Sequence, residues 1–337
     1  MFKIPKITLR QLVKYTVIIW IIKISLLLTI YGIGLIYLDT IGPLPEDKVI
    51  IIEKGSSSWQ VSKQLGEAHV IKHDWFFWLL SNITLKARDF KAGEYEFKKK
   101  TSPKEVIRII SNGLIVIHKL VVPEGLTNKE SISLIESQSA LAGNIVDTYP
   151  EGYLMGNTYY YTYGDRRQMI ADKMHSDAVK FIDSQWEKRD PKIPLKDKNE
   201  AVILASIIEK EAILPQEQSI IAGVFYNRLR KNMKLQADPT IIYAITLGQS
   251  KFDRKITKED IRASSVYNTY HIVGLPPTPI ANPSKGAIIA ALHPASHQYL
   301  YFVTNGKRGH NFSSNLSQHN DHVSNYKKMV KNAPTNK

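Results

Sequence analysis

The sequence predicts an α+β protein hung from one N-terminal transmembrane helix, with a small α+β module followed by a larger mixed α/β domain. Three observations predict it. Residues 15–38 form one long apolar run (YTVIIWIIKISLLLTIYGIGLIYL). Residues 48–122 alternate short β-like runs with helices that carry start signals. Residues 168–190 and 199–232 read as long helices, the second region broken near Pro215. A chain of 337 residues can hold two or three domains with real cores. Its hydrophobic content of 43% excludes a disordered tail, and the lack of cysteine excludes a disulfide framework or a thiolate metal site.

The apolar run is long enough to cross a hydrocarbon core of about 30 Å. Lys3, Lys6, Arg10 and Lys14 precede it, and Asp39, Glu46 and Asp47 follow. The positive-inside rule then puts the N-terminus in the cytoplasm and everything from Asp39 onward outside. No small-x-small site follows the run, so an uncleaved anchor is expected rather than a removed signal peptide. Lys23 reads as a charge tolerated by snorkelling rather than a contact with another membrane helix. The net charge of +14 suggests an anionic partner. Its charges are scattered, however, and no nucleic-acid motif or basic helix with interleaved aromatics is present. A positive-inside signal plus a solvated basic surface accounts for it.

Residues 41–47 (IGPLPED) form a Pro/Gly linker. Val49–Glu53 reads as a strand, Ser56–Ser58 as the cap of a helix through Leu65, and Asp74 as the cap of a helix over Trp75–Leu80. Ala92–Phe97 alternates like a strand. Ser102-Pro103 opens a helix over Lys104–Ser111, with Pro at an early position where its missing N–H costs nothing. Leu114–Val122 is strand-like again. Trp59, Trp75 and Trp78 could stack on sugars or fill this small core; core is expected, because Trp75 and Trp78 stand three apart beside Phe76, Leu79 and Leu80. The Tyr- and Gly-rich stretch 143–165 fits either sugar stacking or an amphipathic core wall. The expected boundaries are 1–14 for a basic cytoplasmic N-terminus, 15–38 for the span, 39–47 for the linker, 48–122 for the module, 123–330 for the C-terminal domain and 331–337 for a polar tail.

Within the helix VILASIIEKEAI (202–213) stand two acids, Glu209 and Glu211. At about 100° per residue they lie about 200° apart and cannot share a face. Leu204, Ile207 and Ile208 precede Glu211 by seven, four and three positions, so Glu211 belongs to the bulky aliphatic stripe. Glu209 lies beside Ala205 and Val202, the thinner side. Desolvation raises a carboxyl pKa, and a carboxyl still protonated near neutrality can donate to a leaving group. Glu211 is therefore the better candidate acid. Helix geometry alone leaves ordinary salt bridges open for both.

Downstream follow FYNRL (225–229), LQADPT (235–240), YNTY (267–270), GLPP (274–277), IANP (280–283), HP (293–294), YLYFV (299–303) and GHNF (309–312). Together with ASIIEKEA (205–212), this ordered set closely resembles the endolytic murein transglycosylases, the YceG-like or MltG family. The resemblance covers essentially everything past the apolar run. It implies an inner-membrane anchor, a LysM-like glycan-binding module over 48–122 and a periplasmic catalytic domain over 123–330. It also implies that the second glutamate of EKE, Glu211, is catalytic, and that the β-1,4 bond between N-acetylmuramic acid and N-acetylglucosamine in nascent peptidoglycan strands is cut, leaving 1,6-anhydro ends. Two departures stand out. Thr278 follows GLPP where Gly is common, and LMGNT (154–158) lacks a Pro-Asp before its Thr; both put loop shape in doubt rather than chemistry.

From the matched motifs, Glu217, Asn227, Gln236, Asp238, Tyr267 and Asn268 are candidate substrate contacts. Each has a plainer reading. Glu217 could hold Arg228, Asn227 could fix backbone, Asp238-Pro239-Thr240 is good helix-start chemistry, and Tyr267-Asn268 could brace the GLPP turn. His293 and His310 lack a third ligand at suitable spacing, so neither a metal nor a cofactor is expected. Peptidoglycan synthases are candidate partners, given a membrane anchor near emerging strands. The competing readings are a lysozyme-like hydrolase that uses water and a non-catalytic glycan-binding scaffold for wall synthases.

Overall fold

The structure, a computed structural model, describes residues 8–84 and 86–332. Lys3 and Lys6 of the basic leader, and residues 333–337 of the expected tail, lie outside the described residues. Chain contacts divide the protein into two compact units, residues 1–118 and 119–337. The architecture is mixed α+β, and every sheet among the described residues has two strands.

The first unit begins with α1 (Leu9–Leu38), which starts six residues before the apolar run. Thr8 and Gln11 form a capping box at its start. The helix is long and apolar enough to cross a membrane, and Gly34 is its one buried residue. Lys23 lies 5.3 Å from the Trp20 ring centroid on the same helix. Strand β1 (Lys48–Ile52) pairs antiparallel with β2 (Gly93–Phe97), Ile50 opposite Tyr95 and Lys48 opposite Phe97. Side chains alternate across a strand, so Ile50, Ile52, Tyr95 and Phe97 all turn inward. Between the strands run α2 (Ser58–Glu67) and α3 (Asp74–Ile83). Helix α4 (Pro103–Asn112) follows, with Ser102 accepting the Glu105 N–H at its start and Gly113 left-handed at its end. Val61, Leu65, Phe77, Val106 and Ile110 close the core.

The tryptophans do not fill that core, contrary to the expectation from spacing. Trp59, Trp75 and Trp78 are 44%, 57% and 36% exposed. A three-residue spacing places Trp75 and Trp78 on one helix face; Phe77 and Leu80 occupy the face that turns inward.

Strand β3 (His118–Val122), all but its first residue in the second unit, pairs with β4 (Asn157–Tyr161). Leu120, Val122, Tyr159 and Tyr161 pack there with Ile135 of α5 (Asn128–Glu136) and with Ile170 and Met174 of α6 (Arg167–Trp186). The Tyr-rich stretch thus follows strand alternation: Tyr159 and Tyr161 are core, whereas Tyr160 is exposed. Helix α7 (Lys198–Glu211) is the central post. It packs against α6, α8 (Gln218–Arg230), α9 (Asp238–Thr246) and α11 (Lys285–Leu292). Ala201–Ile208 are buried without a break, so the thick and thin sides inferred from sequence are both core. Short helix α10 (Lys258–Arg262), the antiparallel hairpin of β5 (Tyr301–Thr304) and β6 (His310–Ser313), and α12 (Leu316–Asn332) complete the unit.

Because α7 is enclosed on all sides, truncating it should be costly. Leu204→Ala is expected to lower unfolding free energy by about 3 kcal/mol, read from the urea midpoint, whereas a substitution at exposed Glu67 of α2 should change it little.

Candidate active site

Glu211 is the last residue of α7, and the chain leaves helical geometry at Ala212 (φ −83°, ψ 104°). Its carboxyl is half-buried and meets the start of α9, where the Asp238 backbone N–H donates to it. Two local features bring α9 there. Pro239 sits in the first helical turn, where its fixed φ favours helix initiation. Gln236 just before it adopts a left-handed backbone (φ 51°), a conformation that non-Gly residues hold only when their surroundings impose it. Those surroundings are explicit. The Gln236 N–H donates to the Thr269 carbonyl at 3.1 Å, the Ala237 N–H donates to Thr269 Oγ1 at 2.9 Å, and the hydroxyls of Thr240 and Thr269 meet at 2.8 Å.

Burial pushes the Glu211 carboxyl up to about 8, and the neighbouring Asp238 carboxylate adds to the rise; the Asp238 N–H and the Arg228 guanidinium pull the other way. Asp238 is itself exposed and accepts from the Tyr270 hydroxyl at 2.6 Å. Arg228 is buried. It donates to the carbonyls of Leu300 (2.6 Å) and Leu235 (2.8 Å) and to Gln236 Oε1 (3.2 Å), and its guanidinium lies 5.2 Å from the Tyr301 ring centroid. Arg228 and Tyr270 are both within electrostatic reach of Glu211. A cleft of about 330 Å³, lined by Thr127, Glu130, Lys210, Pro239, Ile242 and Tyr243 among others, runs along the flank of α9. Lys210 and Pro239 in its wall are chain neighbours of Glu211 and Asp238.

Glu209 has a different surrounding. It accepts the Ser284 N–H at 3.1 Å, just ahead of α11, and Glu124 accepts the Lys285 N–H beside it. Both carboxylates therefore sit at the positive end of α11.

The structure brings Glu211, Asp238 and Gln236 together, with Gln236 linked through Arg228. The other candidates are occupied elsewhere. Glu217 does not hold Arg228: its carboxylate accepts the His310 N–H at 2.9 Å and contacts His310 Nδ1 at 2.7 Å, with both side chains nearly buried. The reason is reach, since α8 points Arg228 toward the Leu235 and Leu300 carbonyls. Asn227 Nδ2 donates to the carbonyls of His297 (2.8 Å) and Tyr299 (3.0 Å), and so fixes backbone. Tyr267 braces the turn after GLPP, its hydroxyl 2.9 Å from Thr278 Oγ1 and its ring against Tyr243. Asn268 is buried, donating to the carbonyls of Ile261 and Ala263 and accepting from the Tyr270 N–H. Asp238 lies in the first turn of α9 without a side-chain cap bond, so it is not the capping residue.

Sequence reasoning passed over Arg228 and Tyr270 as site residues, although both lie inside quoted motifs, FYNRL and YNTY. It also passed over Asn282 of IANP. That buried residue accepts the Leu154 N–H at 2.8 Å, and its backbone exchanges hydrogen bonds with Gly125 and Leu126.

Residues 50–325 match the family model of the YceG-like family. The chain is 38% identical over 172 residues to the endolytic murein transglycosylase of Bacillus subtilis, covering 50% of this chain and 46% of that protein. It is 27% identical over 317 residues to the endolytic murein transglycosylase of Streptococcus pneumoniae strain D39, covering 80% of this chain and 56% of that protein. The chain therefore spans about half the length of these curated relatives. A crystal structure of a yceG-like protein from Listeria monocytogenes matches with a TM-score of 0.52 at 28% identity, over 82% of this chain and 98% of that one.

Two outcomes follow from the electrostatics. Folding raises the Glu211 carboxyl from 4.5 to about 8, so the native state keeps a proton that the unfolded chain has released. Stability linked to this group is complete below pH 4.5 and is lost as pH rises through 8. Glu211→Gln should remove that dependence, so its melting temperature should gain on wild type between pH 5 and pH 9 in thermal scans. Asp238→Asn keeps the backbone N–H but deletes the adjacent charge, and should lower the Glu211 pKa in a carbon-13 carboxyl titration.

Proposed function

This chain belongs to the YceG-like family, and from that premise we propose that it is a membrane-anchored lytic transglycosylase that cuts murein strands internally, with Glu211 as the acid. The observation that carries the proposal is the environment of Glu211, a carboxyl held protonated to about pH 8 whose chain neighbour Lys210 stands in the wall of a cleft. The relatives named endolytic murein transglycosylase support the substrate.

Most glycosidases employ two carboxylates across the scissile bond. Here Glu209 is committed to the start of α11, on the far side of its helix. Asp238 is bonded to Tyr270 and acts on Glu211 through its charge. A single acid suffices when the nucleophile belongs to the substrate. Glu211 protonates the glycosidic oxygen, and positive character develops at C1 of N-acetylmuramic acid. The C6 hydroxyl of the same sugar attacks C1 while Glu211, now a carboxylate, accepts its proton, and a 1,6-anhydro ring closes. An attached nucleophile avoids the entropy of capturing water. The Asp238 carboxylate favours both stages, keeping the acid protonated beforehand and offering negative charge near the developing cation.

In this reading α1 spans the inner membrane with its basic end cytoplasmic, and residues from 39 onward are periplasmic. The strand–helix–helix–strand order of residues 48–97, with β1 and β2 antiparallel, supports a LysM-like module that holds glycan. Peptidoglycan synthases are the partners that would supply nascent strands to an enzyme so anchored.

Digestion of purified sacculi with mass readout of the fragments tests the proposal. Wild type should release fragments with anhydro ends, one water lighter than reducing ends, and Glu211→Gln should be slower by at least ~10²-fold. Reducing ends would make it a hydrolase, and intact glycan would leave only binding.

A further inference from the structure

Helix α3 carries more apolar surface than its module buries. Its sequence, DWFFWLLSNI, turns Phe77, Leu80 and Ser81 inward and leaves Trp75, Trp78 and Ile83 at 57%, 36% and 54% exposure. Trp59 of α2, 44% exposed, meets Trp78 edge to face at 5.7 Å. Contiguous apolar surface of this kind marks a contact that the isolated module does not make.

The position of α3 along α1, within the same compact unit, says which contact. At the C-terminal end of α1 the Tyr37 ring packs on Phe76 at 5.0 Å, and its hydroxyl donates to the His73 carbonyl at 3.4 Å. One turn further in, Leu80 lies against Gly34, where an added Cβ would fall 2.5 Å from Leu80 Cδ2; the missing side chain sets how close α3 comes. Further in again, Ile83 and Thr84 share an apolar cleft with Leu27, Leu28 and Tyr31. Helix α3 thus descends alongside α1 from its end. Leu27 and Leu38 are about 16 Å apart at 1.5 Å per residue, and α1 is heavily exposed and apolar over that stretch. Whatever solvates this flank of α1 also meets the outer face of α3.

We propose that α3 lies in the outer leaflet of the membrane that α1 crosses, with Trp75, Trp78 and Ile83 against lipid. The proposal rests on α1 being a membrane span. Tryptophan concentrates at the membrane–water interface, the depth at which Trp75 stands beside the end of α1. Lys72, just before α3 at the shallow end of its descent, suits such a site, where anionic headgroups attract cations. A glycan would need these rings in water, whereas Ile83 shares its cleft with side chains at mid-depth of α1. The module is then seated on the bilayer by two elements rather than swinging on a tether.

The chain has no cysteine, so single substitutions accept one nitroxide each. Full-length Leu27→Cys, Trp75→Cys, Ile83→Cys and Glu67→Cys, reconstituted in phosphatidylethanolamine–phosphatidylglycerol vesicles, are compared for collision with oxygen and with a water-soluble nickel chelate. Labels at 27, 75 and 83 should favour oxygen, 75 being the shallowest of the three, and the label at 67 should favour nickel. A lipid-exposed label at 27 with water-exposed labels at 75 and 83 overturns the docking of α3 and leaves the span intact. A water-exposed label at 27 overturns the span, and docking with it. Labels at 75 and 83 shielded from both probes would mean that protein, a second copy of this chain, covers the face, and lipid contact is then overturned.

Discussion

The hydrogen bond from the Asp238 backbone N–H to the Glu211 carboxyl joins the end of α7 to the start of α9, and most of the second unit serves to make that meeting possible. Helix α7 delivers Glu211 because eight consecutive residues, Ala201–Ile208, are locked in the core. Helix α9 delivers Asp238 because Gln236 is held in a left-handed turn by Thr269 and Arg228. The forces on the carboxyl oppose one another. Burial and the Asp238 charge favour the proton, while an N–H donor and the Arg228 guanidinium favour its loss. The guanidinium makes its hydrogen bonds to backbone carbonyls and Gln236, so it supplies a general field rather than an ion pair that would strip Glu211 of its proton. A bidentate Arg–carboxylate pair would have fixed the charged form.

How much of this the sequence disclosed depends on the range of the interaction. Local signals were legible: the helix starts at Ser57 and Ser102 are side-chain caps, and the strand read at Val49–Glu53 and the alternation at Ala92–Phe97 lie on β1 and β2. Helix geometry also separated Glu209 from Glu211, because 200° of rotation is independent of context. The reason assigned to each face was incomplete. Both flanks of α7 are core, and the difference lies in what waits at the helix end, Ser284 for Glu209 and Asp238 for Glu211. Partners far apart in sequence were not legible. Glu217 meets His310 across 93 positions, and Arg228 reaches Leu300 across 72. Periodicity carries no record of such pairings, so motif membership could nominate Glu217, Asn227, Tyr267 and Asn268 without distinguishing substrate contact from loop bracing.

The tryptophans illustrate a second limit. A spacing of three reports that Trp75 and Trp78 share a face of α3, but not what that face touches. Apolar periodicity looks the same whether the environment is a protein core or lipid, and the proposal of lipid contact rests instead on where Gly34 and Tyr37 of α1 place α3.

The proposed single-acid chemistry accords with how the second unit places its carboxylates. A retaining hydrolase needs a second carboxylate free to attack C1 about 5 Å from the first. The acids adjoining Glu211 in sequence or space are already engaged. Glu209 and Glu124 offset the positive end of α11, and Asp238 accepts from Tyr270 while raising the pKa of its neighbour. Freeing Asp238 to become a nucleophile would remove the charge that keeps Glu211 protonated, since forming a glycosyl ester neutralises it. In the proposed reaction Asp238 stays ionised while Glu211 gives up its proton and then takes one from an attacking neutral hydroxyl. In the proposed substrate the C6 hydroxyl of muramic acid, already tethered to C1, would fill that role without an ordered water.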